Sequence, residues 1–167
     1  MAAAYPTTRA GVNLTATYLS AGVAPFALGQ TCDLSDGGKA MLVKSSVSAC
    51  STFAAVVINE YFVATMLTTG NARSSGNQIG FAQTSIASGY AGWVQLGGRP
   101  KVNMAANVAP FVQLYTTATA GVLNTATVSG SGGLVMGVFG GTSISNATAV
   151  TCIAGTGSTF IQPLVGT

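Results

Sequence analysis

The sequence contains very little charge and no histidine. Only 6 Lys and Arg and 3 Asp and Glu occur among 167 residues, so 5% of the chain is charged, against about 25% in an ordinary soluble domain. Without histidine, a Ser-His or Cys-His nucleophile pair and the imidazole-based zinc sites are excluded. We therefore expect a protein that is not an enzyme, with no catalytic residues, no bound metal and no organic cofactor.

The three carboxylates are Asp33, Asp36 and Glu60. Two carboxyl groups can flank a sugar bond in a glycosidase, with the third assisting. The alternative is that Asp33 and Asp36 are turn residues that accept local backbone hydrogen bonds, since Asp36 precedes a Gly-Gly pair. The turn interpretation is favoured.

The cations are dispersed and the apolar runs are short. Nucleic-acid binding favours clustered cations, and the longest apolar run, Phe53 to Ile58, is far below the roughly 20 residues of a membrane-spanning helix. The start of the chain also lacks a convincing secretory signal. We expect neither nucleic acid nor a membrane as a partner; the six cations are Arg9, Lys39, Lys44, Arg73, Arg99 and Lys101.

Three cysteines, Cys32, Cys50 and Cys152, show no C-x-x-C spacing and are odd in number. Neither a zinc site nor a complete disulfide framework is indicated. We interpret them as small buried hydrophobic residues, although a bridge between one distant pair stays open.

Glycine is abundant, with 22 residues that together with Ser and Thr interrupt short β-branched segments. This pattern favours many short strands and less than about 15% helix. The sequence predicts an all-β fold, a compact β-sandwich or barrel of about ten strands. Residues 25–167 form this body, and residues 1–24 form an extended N-terminal arm with little core of its own.

The expected strands follow the alternation of apolar residues. Val47 to Thr69 is expected to give one long strand or two short ones around Asn59, and Leu134 to Phe139, apolar on both faces, to lie centrally in the core. Arg99-Pro100-Lys101 is expected to interrupt the sheet. A weak internal echo, which does not by itself establish a repeat, is that a glycine lies inside an apolar strand in both Gln78-Ile79-Gly80-Phe81-Ala82 and Val135-Met136-Gly137-Val138-Phe139. Further strands are expected at Phe26–Gln30, Ala40–Lys44, Ile79–Gln83, Trp93–Leu96, Phe111–Tyr115, Val122–Leu123, Ala149–Ile153 and Phe160–Val165.

The arm supplies the first candidate interface residues. Tyr5 offers a large contact area with few rotatable bonds, Pro6 lowers the cost of ordering, and Arg9 can reach a carboxylate or carbonyl of a partner. We predict that the arm docks on a partner protein or a neighbouring subunit; alternatively it completes its own sheet as an edge strand. Trp93 and Arg99 are the remaining candidates; for Trp93, packing in the core or at a subunit interface is favoured over stacking on nucleobases, which needs more cations nearby.

Several short motifs occur in an order that resembles head decoration proteins of tailed bacteriophages. The resemblance covers about residues 25–140. The motifs are Pro25-Phe26-Ala27-Leu28-Gly29, Asp36-Gly37, Ile79-Gly80-Phe81-Ala82, the segment Gly89 to Gly98, the segment Val108 to Tyr115, Ala118-Thr119-Ala120-Gly121 and Met136-Gly137-Val138.

The resemblance implies a structural virion protein, a capsid cement protein made in the host cytoplasm. Such a protein lies on the outer surface of an icosahedral head, contacts neighbouring major capsid subunits and is commonly a homotrimer. The neutral surface agrees with stable self-association. Two other classes stay open, a tail or fibre component and a carbohydrate-binding or adhesin module that would use an exposed Trp93.

Overall fold

The structure, a computed structural model, describes residues 12–20, 22–73, 78–125, 133–155 and 161–163. These residues confirm the all-β fold, with a single 3₁₀ turn at Asn71–Arg73 and no helix long and apolar enough to cross a membrane. The strands are β1 (Thr17–Tyr18), β2 (Thr31–Asp33), β3 (Lys39–Ser45), β4 (Ala55–Ile58), β5 (Val63–Met66), β6 (Gln78–Ala82), β7 (Ala91–Gln95), β8 (Lys101–Met104), β9 (Gln113–Thr116), β10 (Leu123–Asn124), β11 (Gly133–Gly140), β12 (Thr148–Ala154) and β13 (Ile161–Pro163).

Strands β3 to β7 close into a five-stranded barrel. The order β7-β6-β4-β5-β3 is completed by the pairing of β3 with β7, and β3 and β5 run parallel while the other pairs are antiparallel. Strand β2 adds to β3 and strand β1 to β7 at the outside of the barrel. Closure satisfies the backbone groups that an open sheet would leave unpaired.

Strands β8 to β12 form a second five-stranded barrel with the same topology. Its order is β12-β8-β10-β9-β11, closed by the pairing of β11 with β12, and β8 and β10 form the one parallel pair. Strand β13 adds to β11. Each strand of the first barrel therefore has a counterpart five strands later, so the fold is an internal duplication.

The duplication extends to single backbone hydrogen bonds. In the first barrel Ile86 N donates to Cys50 O at 2.9 Å, and in the second Ile144 N donates to Val108 O at 3.1 Å. The echo in the sequence falls on the counterpart strands β6 and β11. Its two glycines are not equivalent, however, because Gly137 lies in a bulge of β11 with φ 74° that β6 lacks.

Of the two alternatives for Val47 to Thr69, the structure shows two short strands around Asn59, β4 and β5, rather than one long strand. The Asn59 side chain oxygen accepts from Tyr61 N at 3.0 Å and from Val63 N at 2.9 Å. An asparagine that caps a turn in this way reverses the chain without help from glycine. Phe62 completes the turn in the left-handed region, at φ 58°.

One local expectation is wrong. The segment Phe26–Gln30 is a turn rather than a strand, because Gly29 lies at φ 81° and Gln30 N donates to Ala27 O. The interruption expected at Arg99-Pro100-Lys101 separates the two sheets, since β7 ends at Gln95 and β8 begins at Lys101 in the second sheet, where the Pro100 carbonyl accepts from Cys152 N at 2.8 Å. Proline lacks only the donor, so it is tolerated at the start of a strand.

Three apolar clusters hold the fold together. One fills the first barrel around Val43, Val56 and Val94. A second fills the second barrel and continues onto the outward face of β4 and β6, so the two barrels share one core. A third lies on the outward face of β3 and β7 around Trp93. Met136 on β11 is exposed, which corrects the expectation that both faces of this strand are covered.

The described part of the N-terminal segment packs on the first barrel. Val12 and Leu14 are buried in the cluster around Trp93, and Thr17 and Tyr18 pair with β7. For these residues, the contacts agree with the alternative in which the N-terminal segment adds to the sheet of its own chain as an edge strand. Residues 1–11 lie outside the described residues, and a domain boundary after residue 24 stays a prediction.

Candidate functional site

The carboxylates occupy separate structural positions. Asp36 lies in the turn between β2 and β3, where its Oδ1 accepts from Gly38 N at 2.9 Å, so the turn interpretation is confirmed for this residue. Asp33 instead lies in strand β2, and Glu60 lies in the turn between β4 and β5. Among the described residues, no group of three or more Cys, Asp and Glu side chains is placed to hold a metal ion.

The cysteines are free and buried, in agreement with the interpretation as small hydrophobic residues. Burial raises the pKa of each thiol, and for Cys152 it raises the pKa to about 12. Protonated thiols are poor nucleophiles and poor metal ligands. Cys32, Cys50 and Cys152 also belong to three different apolar clusters.

The Asp36 carboxylate ties the first barrel to the segment that leads into the second. Its Oδ2 accepts from Gln95 Nε2 at 3.0 Å and from Arg99 N at 2.9 Å. Gly98 beside it lies at φ 85°, and a Cβ there would come within 2.6 Å of the Asp36 carboxylate. Only glycine therefore fits at position 98, where the backbone passes close to the Asp36 carboxylate. Asp36 thereby fixes the backbone from which the exposed Arg99 side chain projects.

A groove of about 420 Å³ lies on one side of Arg99. Lys101 also borders it and is held by Gln83, which accepts from Lys101 N and donates to Lys101 O, both at 3.2 Å. The Lys101 ammonium lies 5.5 Å from the centre of the Phe53 ring, at the junction of the barrels. Two cations beside amide groups suit the groove to a partner carboxylate or a backbone carbonyl. It is lined by Asn13, Leu14, Thr15, Leu34, Ser35, Asp36, Gln83, Gln95, Arg99, Lys101 and Thr151.

An apolar groove of about 470 Å³ lies on the other side of Arg99. Phe111 and Ile153 line it and are 71% and 42% exposed, and the adjoining Val112 is 40% exposed. Neighbouring exposed apolar side chains, bordered by polar groups, are typical of an interaction surface. We call Phe111, Val112 and Ile153 the open face of the second barrel.

The structure places the candidate interface residues in different environments. Tyr5, Pro6 and Arg9 lie outside the described residues, so their role stays a prediction. Trp93 is fully buried within its own chain, edge-on to Phe26 with ring centres 5.5 Å apart. Its Nε1 has no hydrogen-bond partner within the described part of the chain, at a cost of about 1–3 kcal/mol. Arg99 is exposed where the two grooves meet.

Sequence reasoning missed the open face as a site. It assigned Phe111 to a strand, whereas Phe111 precedes β9 in a turn, at φ 56°. The available signal was the adjacent pair Phe111-Val112, since neighbouring residues of a strand point to opposite faces and cannot both face one core.

The chain matches no protein family model and no curated protein sequence.

Proposed function

We propose that this chain is a structural virion protein, a decoration protein that binds the outer surface of an icosahedral phage head and stabilises contacts between major capsid subunits. The observation that carries the proposal is a body of two fused closed barrels with little charge, in which the Asp36 carboxylate and the three buried thiols have structural roles. Such a body offers rigid contact surface and few sheet edges at which other strands could add.

The partners of this function are the major capsid protein and further copies of the chain, assembled as a trimer. Exposed Arg99 and Lys101 provide donors for capsid carboxylates and carbonyls. Tyr5, Pro6 and Arg9 supply a second contact if the first residues order on the capsid. The protein is made in the host cytoplasm and acts on the outside of the capsid, without nucleic acid or membrane contact.

Burial of Trp93 removes the feature on which a carbohydrate-binding module depended, because a sugar platform needs an exposed aromatic face. A tail or fibre component differs from a decoration protein in copy number. Mass-spectrometric counting on purified virions is expected to give a copy number comparable with that of the major capsid protein. A copy number far below this would contradict the proposal and favour the tail.

The capsid contact is tested with a chain that lacks residues 1–11. Truncation at residue 12 keeps Val12 and Leu14, which are buried against the first barrel, so the body is expected to fold as in the full chain. Reduced occupancy on undecorated heads, with an unchanged circular dichroism spectrum, is the expected result. Wild-type occupancy of the truncated chain would show that the first residues do not dock.

A further inference from the structure

The duplication indicates which outer face of each barrel packs against another barrel. In the first barrel the outward residues of β4 and β6, including Ala55 and Phe81, are fully buried under the second barrel. The turn before β10 makes part of this contact: Gly121 O accepts from Ala55 N at 3.0 Å, and Gly121 N donates to Leu67 O at 2.8 Å. The intact chain therefore contains one barrel-on-barrel interface.

The counterpart face of the second barrel follows from the strand register. Phe111 N donates to Gly140 O at 2.7 Å as Phe53 N donates to Ala82 O at 2.8 Å. The pairing of Gln113 with Phe139 corresponds to that of Ala55 with Phe81. Phe111, Val112 and Gln113 therefore correspond to Phe53, Ala54 and Ala55.

The two equivalent faces differ in burial. Phe53 is half-buried and Ala54 is fully buried, whereas their counterparts Phe111 and Val112 on the open face are 71% and 40% exposed. Gln113, the counterpart of buried Ala55, is also exposed. The matching face of the first barrel is covered by the second barrel, whereas the open face of the second barrel has apolar side chains exposed at its edge. Association with another molecule can bury this apolar area.

The complementary element is the turn before β5 in the first barrel. Phe62 in this turn corresponds to Gly121 before β10, and both have positive φ, 58° and 74°. Tyr61 beside it is 71% exposed, and Phe62 is also exposed. The turn before β10 packs on the first barrel within the chain. Its counterpart, the turn before β5, is exposed and carries two aromatic side chains.

Backbone strain marks the same positions. Phe53, Phe62 and Phe111 have φ of 59°, 58° and 56°, a region that a bulky side chain adopts only at a cost of about 1–3 kcal/mol. Phe53 lies at the interface between the barrels, where Asn103 N donates to its carbonyl at 2.8 Å. The other two residues lie on the two exposed surfaces.

We propose that the open face of the second barrel binds the Tyr61–Phe62 turn of a second copy of this chain, which repeats between chains the packing of the barrels within one chain. Tyr61 enters the groove between Phe111 and Ile153, while the Phe62 ring stays against Gly29 of its own chain. Arg99 at the groove border is placed to donate to the tyrosine hydroxyl. The two surfaces differ, so the interface is heterologous and closes into a ring or extends head to tail.

This interface rests on the self-association in the proposed function, and its test uses the isolated chain without capsids. A negative result would therefore refute the interface between copies and would not bear on the capsid contact, which is tested with the truncated chain. Phe111→Asp and Tyr61→Asp each place a charge in the contact. Both side chains are exposed, and Asp tolerates the left-handed backbone of residue 111 better than Phe.

Sedimentation velocity is expected to show an assembled wild type and two variants that are each monomeric at the same concentration. The apparent dissociation constant should rise at least about thirtyfold, the loss typical of an interface hot spot. An equimolar mixture of the two variants should form a dimer and nothing larger, because each variant keeps one intact half of the interface. Val47→Asp is the control, since Val47 is 94% exposed in the loop after β3 and belongs to neither surface; it should assemble as wild type.

Three results would overturn the inference. They are a monomeric wild type, a Phe111→Asp variant that assembles as wild type, and a mixture that stays monomeric. Loss of assembly on removal of residues 1–11, with assembly retained in Phe111→Asp, would assign the contact to the N-terminal residues instead.

Discussion

Replacing Gly121 by alanine should weaken the interface between the two barrels specifically. Gly121 has φ 74°, and an added Cβ would lie 2.6 Å from the Cβ of Ala54 and 3.2 Å from its Cα. Both atoms belong to the first barrel, so the turn before β10 can relieve the overlap only by moving away from it. That movement stretches the hydrogen bonds to Ala55 N and Leu67 O.

The expected cost has two parts. The left-handed conformation costs an alanine about 1–2 kcal/mol, and overpacking against Ala54 adds about 1–3 kcal/mol. The free energy of unfolding should therefore fall by about 2–5 kcal/mol. Gly89→Ala is the matched control, because Gly89 has φ 77° but a Cβ there meets nothing within 4 Å. The control should lose only the conformational part.

Equilibrium unfolding in urea measures both variants. The difference between them isolates the contact of the barrels and should be about 1–3 kcal/mol. Equal losses in the two variants would refute the reasoning, since they would show that the turn before β10 does not pack against Ala54 in solution.

Three further outcomes are expected. Asp36→Ala should lower the free energy of unfolding by about 1.5–3 kcal/mol in urea titrations, because buried Gln95 loses a charged acceptor, while Asp33→Ala on β2 should stay within about 0.5 kcal/mol of wild type. The pKa of about 12 for the Cys152 thiol lies above its unfolded value, so its contribution to stability is complete below about pH 8.5 and is lost as the pH rises toward 12; Cys152→Ala should show a shallower fall over this range, by up to about 1.4 kcal/mol per pH unit, and an identical slope would contradict the burial. Native protein should react with a thiol reagent far more slowly than urea-unfolded protein, because Cys32, Cys50 and Cys152 are all buried, and rapid labelling of any of them in the native protein would contradict this.

The local pattern of strands and turns could be read from the sequence. Asn59 divides an apolar segment because its side chain satisfies turn amides, and the alternation that runs through β7 to the residue after it places Val94 and Leu96 in one cluster. Such features depend on neighbouring residues, so a short window of sequence contains their cause. The absence of histidine and the scarcity of carboxylates restrict the chemistry in the same direct way.

Closure and burial were decided by the tertiary structure. No local signal showed that β3 would pair in parallel with β5 and antiparallel with β7, or that the same topology would recur, because both pairings join strands that are not adjacent in sequence. Trp93 and Phe111 show why the site was missed. Both are aromatic residues in or next to alternating segments, yet Trp93 is covered by the N-terminal segment and Phe26, and Phe111 is left exposed. Alternation assigns a side chain to one of two faces, and only the packing of distant segments determines which of those faces becomes core.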